Sequence, residues 1–488
     1  MGGKGKSKGK GKSSNARKGA GKGKGEAKGT GKGKWTKVKP TVLVTGASGY
    51  VAGNVIQKLL DQKYKVRGTV RSLESDVSKL LQKEFPTVEL FAADLLGGSE
   101  AFEKAMEGCT YVQHTASPFW LTCNDPQKDF VDPALKGTTS VMEAAVKAGI
   151  KRVVVTSSLA AVGPPQAWVT DPSKADKEKV FTEDDWNTDS TLEAGPYRLS
   201  KTLAEKKAME IAEKADGLSL VVVNPSFVIG PMQTSRADGT SVQLIKAMLD
   251  GSLKEKGCNG GVGMGVVDVR DVAAAHVAAM ESDSASGKRF LCTSVIGYGH
   301  LELADMIRDR FKAYPIPTEG KEILYKPKYS HERAKKELKI KFRPVEVSMR
   351  DMANAAIKLG LVEKKFYTKP AKFGIVSDLK PDSKGLNVKV KVVSTKGEKF
   401  TLGKQEAEEF VVGDSTGVVT LTLVGDEVGT VKVGESYEIH NSHVKMPKGF
   451  IRLQVGKWGK ITKLEGGDEI TPKTDKDVSA TEYELVKD

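Results

Sequence analysis

Residues 41–53 read TVLVTGASGYVAG. Val42, Leu43 and Val44 form a short apolar run, the pattern of a strand buried on both faces. Gly46, Gly49 and Ala52 follow at three-residue spacing and lead into VAGNVIQKLLDQ. There Val51, Val55, Ile56, Leu59 and Leu60 share one helical face. The reading is strand, glycine turn, helix. Glycines let the backbone turn tightly and approach a pyrophosphate, and a helix start offers N–H groups and a positive dipole end. Ala52 in the third place still permits close packing of helix on strand.

A second strand, Lys65–Val70, ends at Arg71. An acid at that strand end would hydrogen-bond an adenosine 2′-hydroxyl. Arg71 suits a 2′-phosphate instead, so NADP(H) is expected over NAD.

The formal net charge of +15 is unevenly spread. Residues 1–40 hold thirteen Lys, one Arg and one Glu, a net of +13, which leaves +2 for the remaining 448. The basic pI therefore belongs to the Gly/Lys-rich segment 1–38. Glycine entropy and like-charge repulsion keep such a segment from packing a core, and it is expected to be disordered. It reads equally as a solubilising tail or as an arm for weak, non-specific binding of nucleic acid or another polyanion. Cys109, Cys123, Cys258 and Cys292 are widely spaced, which argues against a zinc site and suits a reducing compartment. No run of about 18 apolar residues suggests a membrane span, and the expected location is the cytoplasm, with the nucleus as the alternative.

From 39 to 365 strands alternate with helices, the pattern of a doubly wound parallel α/β sheet of Rossmann type. Expected strands cover 88–92, 111–116, 152–156 and 218–223, and expected helices cover 134–148 and 200–215. Ligands gather at the carboxyl ends of such strands. Those ends are 46–49, Arg71, Asp94, 115–117, Ser158 and Pro225-Ser226. A substrate lobe is expected mainly over 231–345, with helices at 240–249, 266–280 and 348–361. Residues 366–372 read as a linker. From 373 to 466 alternating strands at 386–393, 418–424, 436–439 and 450–455 suggest a small barrel. Residues 467–488 carry seven acids against three lysines and are expected to fray or to fold back on the basic arm.

Tyr197-Arg-Leu-Ser-Lys201 opens a helix, and residues four apart share a face. A phenol with a pKa near ~10 is a poor acid–base catalyst at neutral pH, and an adjacent ammonium favours its phenolate. Tyr197 is thus the candidate proton donor to a carbonyl oxygen, Ser158 a second donor to it, and Lys201 the ammonium. Tyr483-Glu-Leu-Val-Lys487 repeats the spacing but has no such strand context.

These motifs, together with Arg67-Gly-Thr-Val-Arg71, His114-Thr-Ala-Ser-Pro-Phe119, Phe181-Thr-Glu-Asp-Asp-Trp-Asn187, Asn224-Pro-Ser-Phe-Val-Ile-Gly-Pro231 and Val267-Asp-Val-Arg-Asp-Val-Ala273, resemble the dihydroflavonol 4-reductase family of extended short-chain dehydrogenase/reductases. The branch resembled is that of the aldehyde and ketone reductases such as methylglyoxal reductase. The resemblance implies NADPH, reduction of a small carbonyl to an alcohol, and a catalytic set of Ser158, Tyr197 and Lys201. It implies cofactor contacts at Gly46, Ser48, Gly49, Tyr50, Val51, Arg71, Asp94 (adenine side), Leu95, Thr115, Ala116, Ser117, Tyr197, Lys201, Pro225 and Ser226. No metal is implied. Two departures stand out. Ala134 replaces an Asn that supports proton relay in many relatives. The Asn-Trp-Tyr-Cys-Tyr signature of cinnamoyl-CoA reductases is absent around Tyr197, which disfavours that substrate class. His114 reads as structural.

Lys380-Pro, Val412-Gly-Asp-Ser-Thr-Gly417 and Lys448-Gly449 resemble the small eukaryotic single-stranded-DNA-binding OB-fold proteins. The two aromatic stacking positions of that family fall on Val424 and Pro447, with Phe450 and Trp458 as substitutes, and residues 371–466 hold fifteen basic against twelve acidic side chains. An OB-fold is expected, strand binding in the family's manner is not, and the barrel's ligand stays open. Competing readings are a nucleic-acid-binding or scaffold protein whose reductase-like domain senses NADPH, and an epimerase or dehydratase.

Overall fold

The computed structural model describes residues 39–117, 124–258, 260–366, 371–465 and 469–484, without the side chains of Lys256 and Lys457. The segment 1–38, Pro118, Phe119, Cys123, Pro370 and Lys487 lie outside the described residues. The chain divides into two compact units between Lys365 and Phe366.

The first unit is built on seven parallel strands. Their order is Arg289–Cys292, Ser219–Pro225, Arg152–Thr156, Tyr111–His114, Thr41–Thr45, Lys65–Val70, Glu89–Ala92. The strand order reverses beside Thr41–Thr45, and that is where a crevice opens at the carboxyl ends. Val42, Leu43, Val44, Val153 and Val154 are fully buried, because helices cover both faces of the sheet. Tyr50–Asp61 and Val269–Glu281 pack one face through Val55, Ile56, Leu59, Val272 and Ala275. Glu100–Met106, Asp132–Lys147 and Pro196–Lys214 pack the other through Phe102, Val141, Met142 and Ala208. A second lobe gathers Thr240–Asp250, His300–Arg308 and Val345–Lys358 around Ile245, Met248, Leu303 and Met352.

One local expectation is corrected in this unit, and one strand was not anticipated. Val266–Asp268 is a strand, paired in parallel with Phe227–Ile229, rather than the start of a helix. The Asp268 carboxylate accepts the Arg270 N–H and caps the helix, which begins at Val269. Arg289–Cys292, the seventh strand, has only four residues and begins on an arginine, so its period says little.

The second unit is a closed five-stranded barrel. Lys384–Thr395 pairs with Ser436–Lys445, that with Arg452–Lys463, that in parallel with Gly417–Val424, that with Gln405–Asp414, and that back with Lys384–Thr395. Val390, Val412, Val419, Leu421, Ile439 and Leu453 are fully buried at its centre. Gln405–Asp414 was not separable in sequence, because Glu406, Glu408 and Glu409 mask its apolar half. The acidic C-terminal segment does not fray over its described part. Lys473 N–H bonds Asp414 O, Val418 N–H bonds Lys476 O, and Tyr483 N–H bonds Gly449 O. Ser479 is buried and its hydroxyl accepts the Thr420 N–H at 2.7 Å. The first half of Gly417–Val424 has no partner on the Arg452–Lys463 side, and this segment supplies one.

Candidate active site

The glycine turn is held by its neighbours. Gly46 has φ +63°, and a Cβ there would lie 2.9 Å from the Ala116 Cβ, so the turn and the end of Tyr111–His114 meet only because the side chain is missing. Gly46 N–H bonds the Thr69 hydroxyl at 3.1 Å and Ala47 N–H bonds Thr69 O at 2.8 Å. Gly49 caps the helix Tyr50–Asp61, whose first N–H groups face the crevice region. This is a cradle shaped for a dinucleotide backbone.

Around it lies a cleft of about 1300 Å³, and every predicted site residue lines it. Gly46, Ser48, Gly49, Tyr50, Val51, Arg71, Asp94 and Leu95 line it, and so do Ser158 and Tyr197. Thr115, Ala116, Ser117, Lys201, Pro225 and Ser226 line the same cleft. Several have side chains already committed. The Tyr50 hydroxyl donates to Gly230 O at 2.6 Å, and burial raises its pKa well above the ordinary value, which leaves only its backbone for the cradle. The Ser226 hydroxyl and N–H both bond Cys292 O. The Asp94 carboxylate accepts the Leu96 N–H at 2.8 Å and shapes its own turn.

Pro196 starts the helix that carries Tyr197 and Lys201, and Gly195 turns into it with φ +85°. Lys201 Nζ lies 5.6 Å from the centre of the Tyr197 ring and donates to Ser117 Oγ at 2.5 Å. Ser158 closes the strand Arg152–Thr156, and its hydroxyl accepts the Ala160 N–H at 3.1 Å. Behind Lys201 a cavity of about 20 Å³ is lined by His114, Ala134, Thr138, Ser157 and Glu205. Ala134 provides the space there that an Asn would fill, and the volume suits one water. His114 is buried with its pKa pushed down to about 4, by desolvation first and the Lys201 charge second. It is a neutral imidazole at pH 7, bonded to Thr45 Oγ1 at 2.9 Å.

Beneath these groups sits a buried carboxylate that the sequence did not single out. Glu205 accepts Ser157 Oγ at 2.5 Å, Asn224 Nδ2 at 2.8 Å and Arg289 Nε at 2.5 Å. Arg289 in turn lies 3.7 Å from the centre of the Trp186 ring and donates to Glu183 O and Asp185 O. The network ties the strand before Ser158 to the helix of Tyr197 and to the seventh strand. Arg236 was missed as well. Its guanidinium bonds Ser48 O at 3.2 Å and Ser48 Oγ at 3.1 Å, and it grips Asp238 with two bonds. The Asp238 carboxyl is held below its usual pKa, by Arg236 chiefly and by the Arg71 charge in part. An acid therefore does approach Arg71, carried there from 167 positions along the chain (238 − 71).

The NAD dependent epimerase/dehydratase family model matches residues 42–292. The single-stranded DNA binding protein Ssb-like, OB fold model matches residues 379–463. Cinnamoyl-CoA reductase CAD2 of Medicago truncatula is 36% identical over 336 residues, covering 67% of this chain and 96% of that protein. The (2S)-flavan-3-ol-forming anthocyanidin reductase of Vitis vinifera is 34% identical over 292 residues, 58% of this chain and 84% of that protein. Among solved structures, yeast methylglyoxal/isovaleraldehyde reductase Gre2 complexed with NADPH matches at TM-score 0.58 and 28% identity, over 66% of this chain and 99% of that one.

Proposed function

Because the chain belongs to the NAD dependent epimerase/dehydratase family, we infer that it is an NADPH-dependent oxidoreductase, one that reduces a small aldehyde or ketone to an alcohol and carries an OB-fold domain. One observation carries the reading: Ser158, Tyr197 and Lys201 line the same cleft as the glycine cradle and Arg71. Among the similar proteins, yeast methylglyoxal/isovaleraldehyde reductase Gre2 was solved complexed with NADPH, which supports both the cofactor and the small carbonyl.

When held in this cleft, NADPH would supply the hydride that reaches the carbonyl carbon. The chain supplies the rest. Gly46, Ser48, Gly49 and the helix start hold the phosphates, and Arg71 the 2′-phosphate. Ser158 and Tyr197 donate hydrogen bonds to the substrate oxygen, and Tyr197 gives it a proton as negative charge develops there. The Lys201 ammonium stabilises the phenolate left behind. Lys201 and Thr138 line the same water-sized cavity, which supports reprotonation through a water in place of the Asn replaced by Ala134. The similarity to cinnamoyl-CoA reductases is tempered at the site itself, where Gly195-Pro-Tyr-Arg-Leu stands in place of their signature.

The test is NADPH oxidation by the purified chain against small aldehydes, diketones and flavonoid ketones. Tyr197→Phe should lower turnover by about 10²–10⁴-fold and leave NADPH binding, read by fluorescence titration, largely intact. Full activity in that variant would remove the mechanism.

A further inference from the structure

The substrate end of the cleft carries a cation that the reaction does not use. Arg198 follows Tyr197 on the same helix and lines the cleft beside Gly163, Pro164, Val169, Met264 and Tyr329. The other charged groups that line the cleft near this helix, Lys128 and Asp129, are committed elsewhere: Lys128 pairs with Asp125 at 2.9 Å, and Asp129 accepts the N–H groups of Asn124 and Asp125. Among the described residues the Arg198 guanidinium makes one hydrogen bond, from Nη2 to Pro164 O, and no ion pair. Its Nε is buried without any acceptor. The acid whose field reaches it, Asp189, has its two oxygens on the N–H groups of Gln166 and Ala167. Tyr329 offers no charge either, because burial pushes its phenol pKa far up and keeps it neutral.

Arg198 is half-buried, and a cation partly withdrawn from water with no carboxylate against it is costly to maintain. A guanidinium presents five donors in a planar fork suited to a carboxylate, and only one partner is in place here. The cleft side is where a substrate would lie, one residue along the helix from the hydroxyl proposed to protonate the carbonyl oxygen.

We infer that Arg198 binds a carboxylate on the substrate, so that the chain selects short oxo-acids, an aldehyde or ketone with a carboxylate a few bonds from the reacting carbon, over the matching neutral carbonyls. This rests on the reductase reading for the position of the carbonyl, but the anion site stands on the geometry of Arg198.

The experiment has two arms. In the first, NADPH oxidation is measured with ω-oxo-carboxylates of two to five carbons and with the neutral aldehydes of equal length. The expected result is at least one chain length whose kcat/KM exceeds that of its neutral match by tenfold or more. In Arg198→Met and Arg198→Gln that acid-to-aldehyde ratio should fall at least tenfold, and Arg198→Lys should retain part of it. A ratio is unaffected by a variant that merely loses folded protein. In the second arm, calorimetry follows the binding of the non-reducible carboxylates acetate to pentanoate, against their amides, to the NADPH complex of Tyr197→Phe, with and without Arg198→Met. Carboxylate binding that depends on Arg198 supports the site even if no carbonyl is turned over, in which case the reductase reading alone fails. Neutral aldehydes preferred by the unaltered chain, equal loss for acids and aldehydes, or no Arg198-dependent carboxylate binding would overturn the inference.

Discussion

At the scale of the residue, the cofactor end of the cleft is decided by a few charges. Arg71 closes the strand Lys65–Val70 and is exposed to the cleft. Arg236 and Asp238 come from a loop far along the chain and sit over Ser48, within the field of Arg71. We propose that a 2′-phosphate sits there, against two arginines and one acid already neutralised by one of them. Arg71→Ala should weaken NADPH binding by roughly 1.5–3 kcal/mol, the worth of a hydrogen bond to a charged group, and NADH binding much less. Paired fluorescence titrations measure this, and an unchanged NADPH-to-NADH ratio would take the phosphate off Arg71. The motif YRLSK and the turn GASG were legible as chemistry because their spacing is local. Arg198 was legible only as a letter inside the motif. Its importance comes from its seat in the cleft, with Pro164 O as its hydrogen-bond partner and Tyr329 nearby, neighbours that only folding brings to it.

At the scale of the element, two buried imidazoles tie the sheet together, His114 between two strands and His276 from a helix to two others. His276, on Val269–Glu281, bonds Gln113 Oε1 and Thr156 Oγ1, both at 2.9 Å, and bridges two strands. Desolvation lowers its pKa to about 3, and His114 stands at about 4. An unfolded histidine titrates near ~6.5. Both folded values lie below that, so the unfolded chain takes up protons first on acidification. The stability these groups contribute is complete above pH ~6.5 and is lost as the pH falls toward 4 and then 3. Denaturant midpoints taken from pH 7 to pH 4.5 should therefore fall with pH. His276→Gln, which keeps a donor and an acceptor, should flatten that slope even if it lowers stability at pH 7. An identical slope in the variant would move the effect to other groups. Elements with strong period were read well in sequence, the strand Arg152–Thr156 to the residue. Elements with mixed polarity were not. Arg289 heads a buried strand because Glu205 neutralises it, and 84 residues separate the two (289 − 205).

At the scale of the whole molecule, charge and fold are distributed unequally. Residues 1–40 carry +13, while residues 371–466 carry +3 from fifteen basic and twelve acidic side chains. Val424 and Pro447, the places that the resemblance to the strand-binding OB-fold proteins assigns to stacking aromatics, carry no ring, and Trp458 is 81% exposed on the barrel. A lysine arm binds phosphates without reading bases, and each phosphate neutralised adds roughly 0.7–0.9 to the salt slope. The full chain should bind single- and double-stranded nucleic acid weakly, alike and mainly at low salt. Deleting 1–38 should remove most of that binding and leave reductase activity in place. Fluorescence anisotropy on the full chain and on the deletion decides it, and tight, salt-tolerant, single-strand-selective binding by the deleted form would assign the affinity to the barrel. The sequence by itself determined the parallel sheet, the small barrel, the glycine turn and the Tyr197–Lys201 pair. Each of these is written in a period or spacing shorter than about a dozen residues, within reach of local backbone geometry. Only the tertiary structure decided the partners of Glu205, the Asp238 carboxylate within the field of Arg71, the hydrogen bonds that dock the acidic C-terminal segment on the barrel and the half-buried seat of Arg198. Those contacts join positions tens to hundreds of residues apart, and folding brings them together through burial, which leaves no period in the chain.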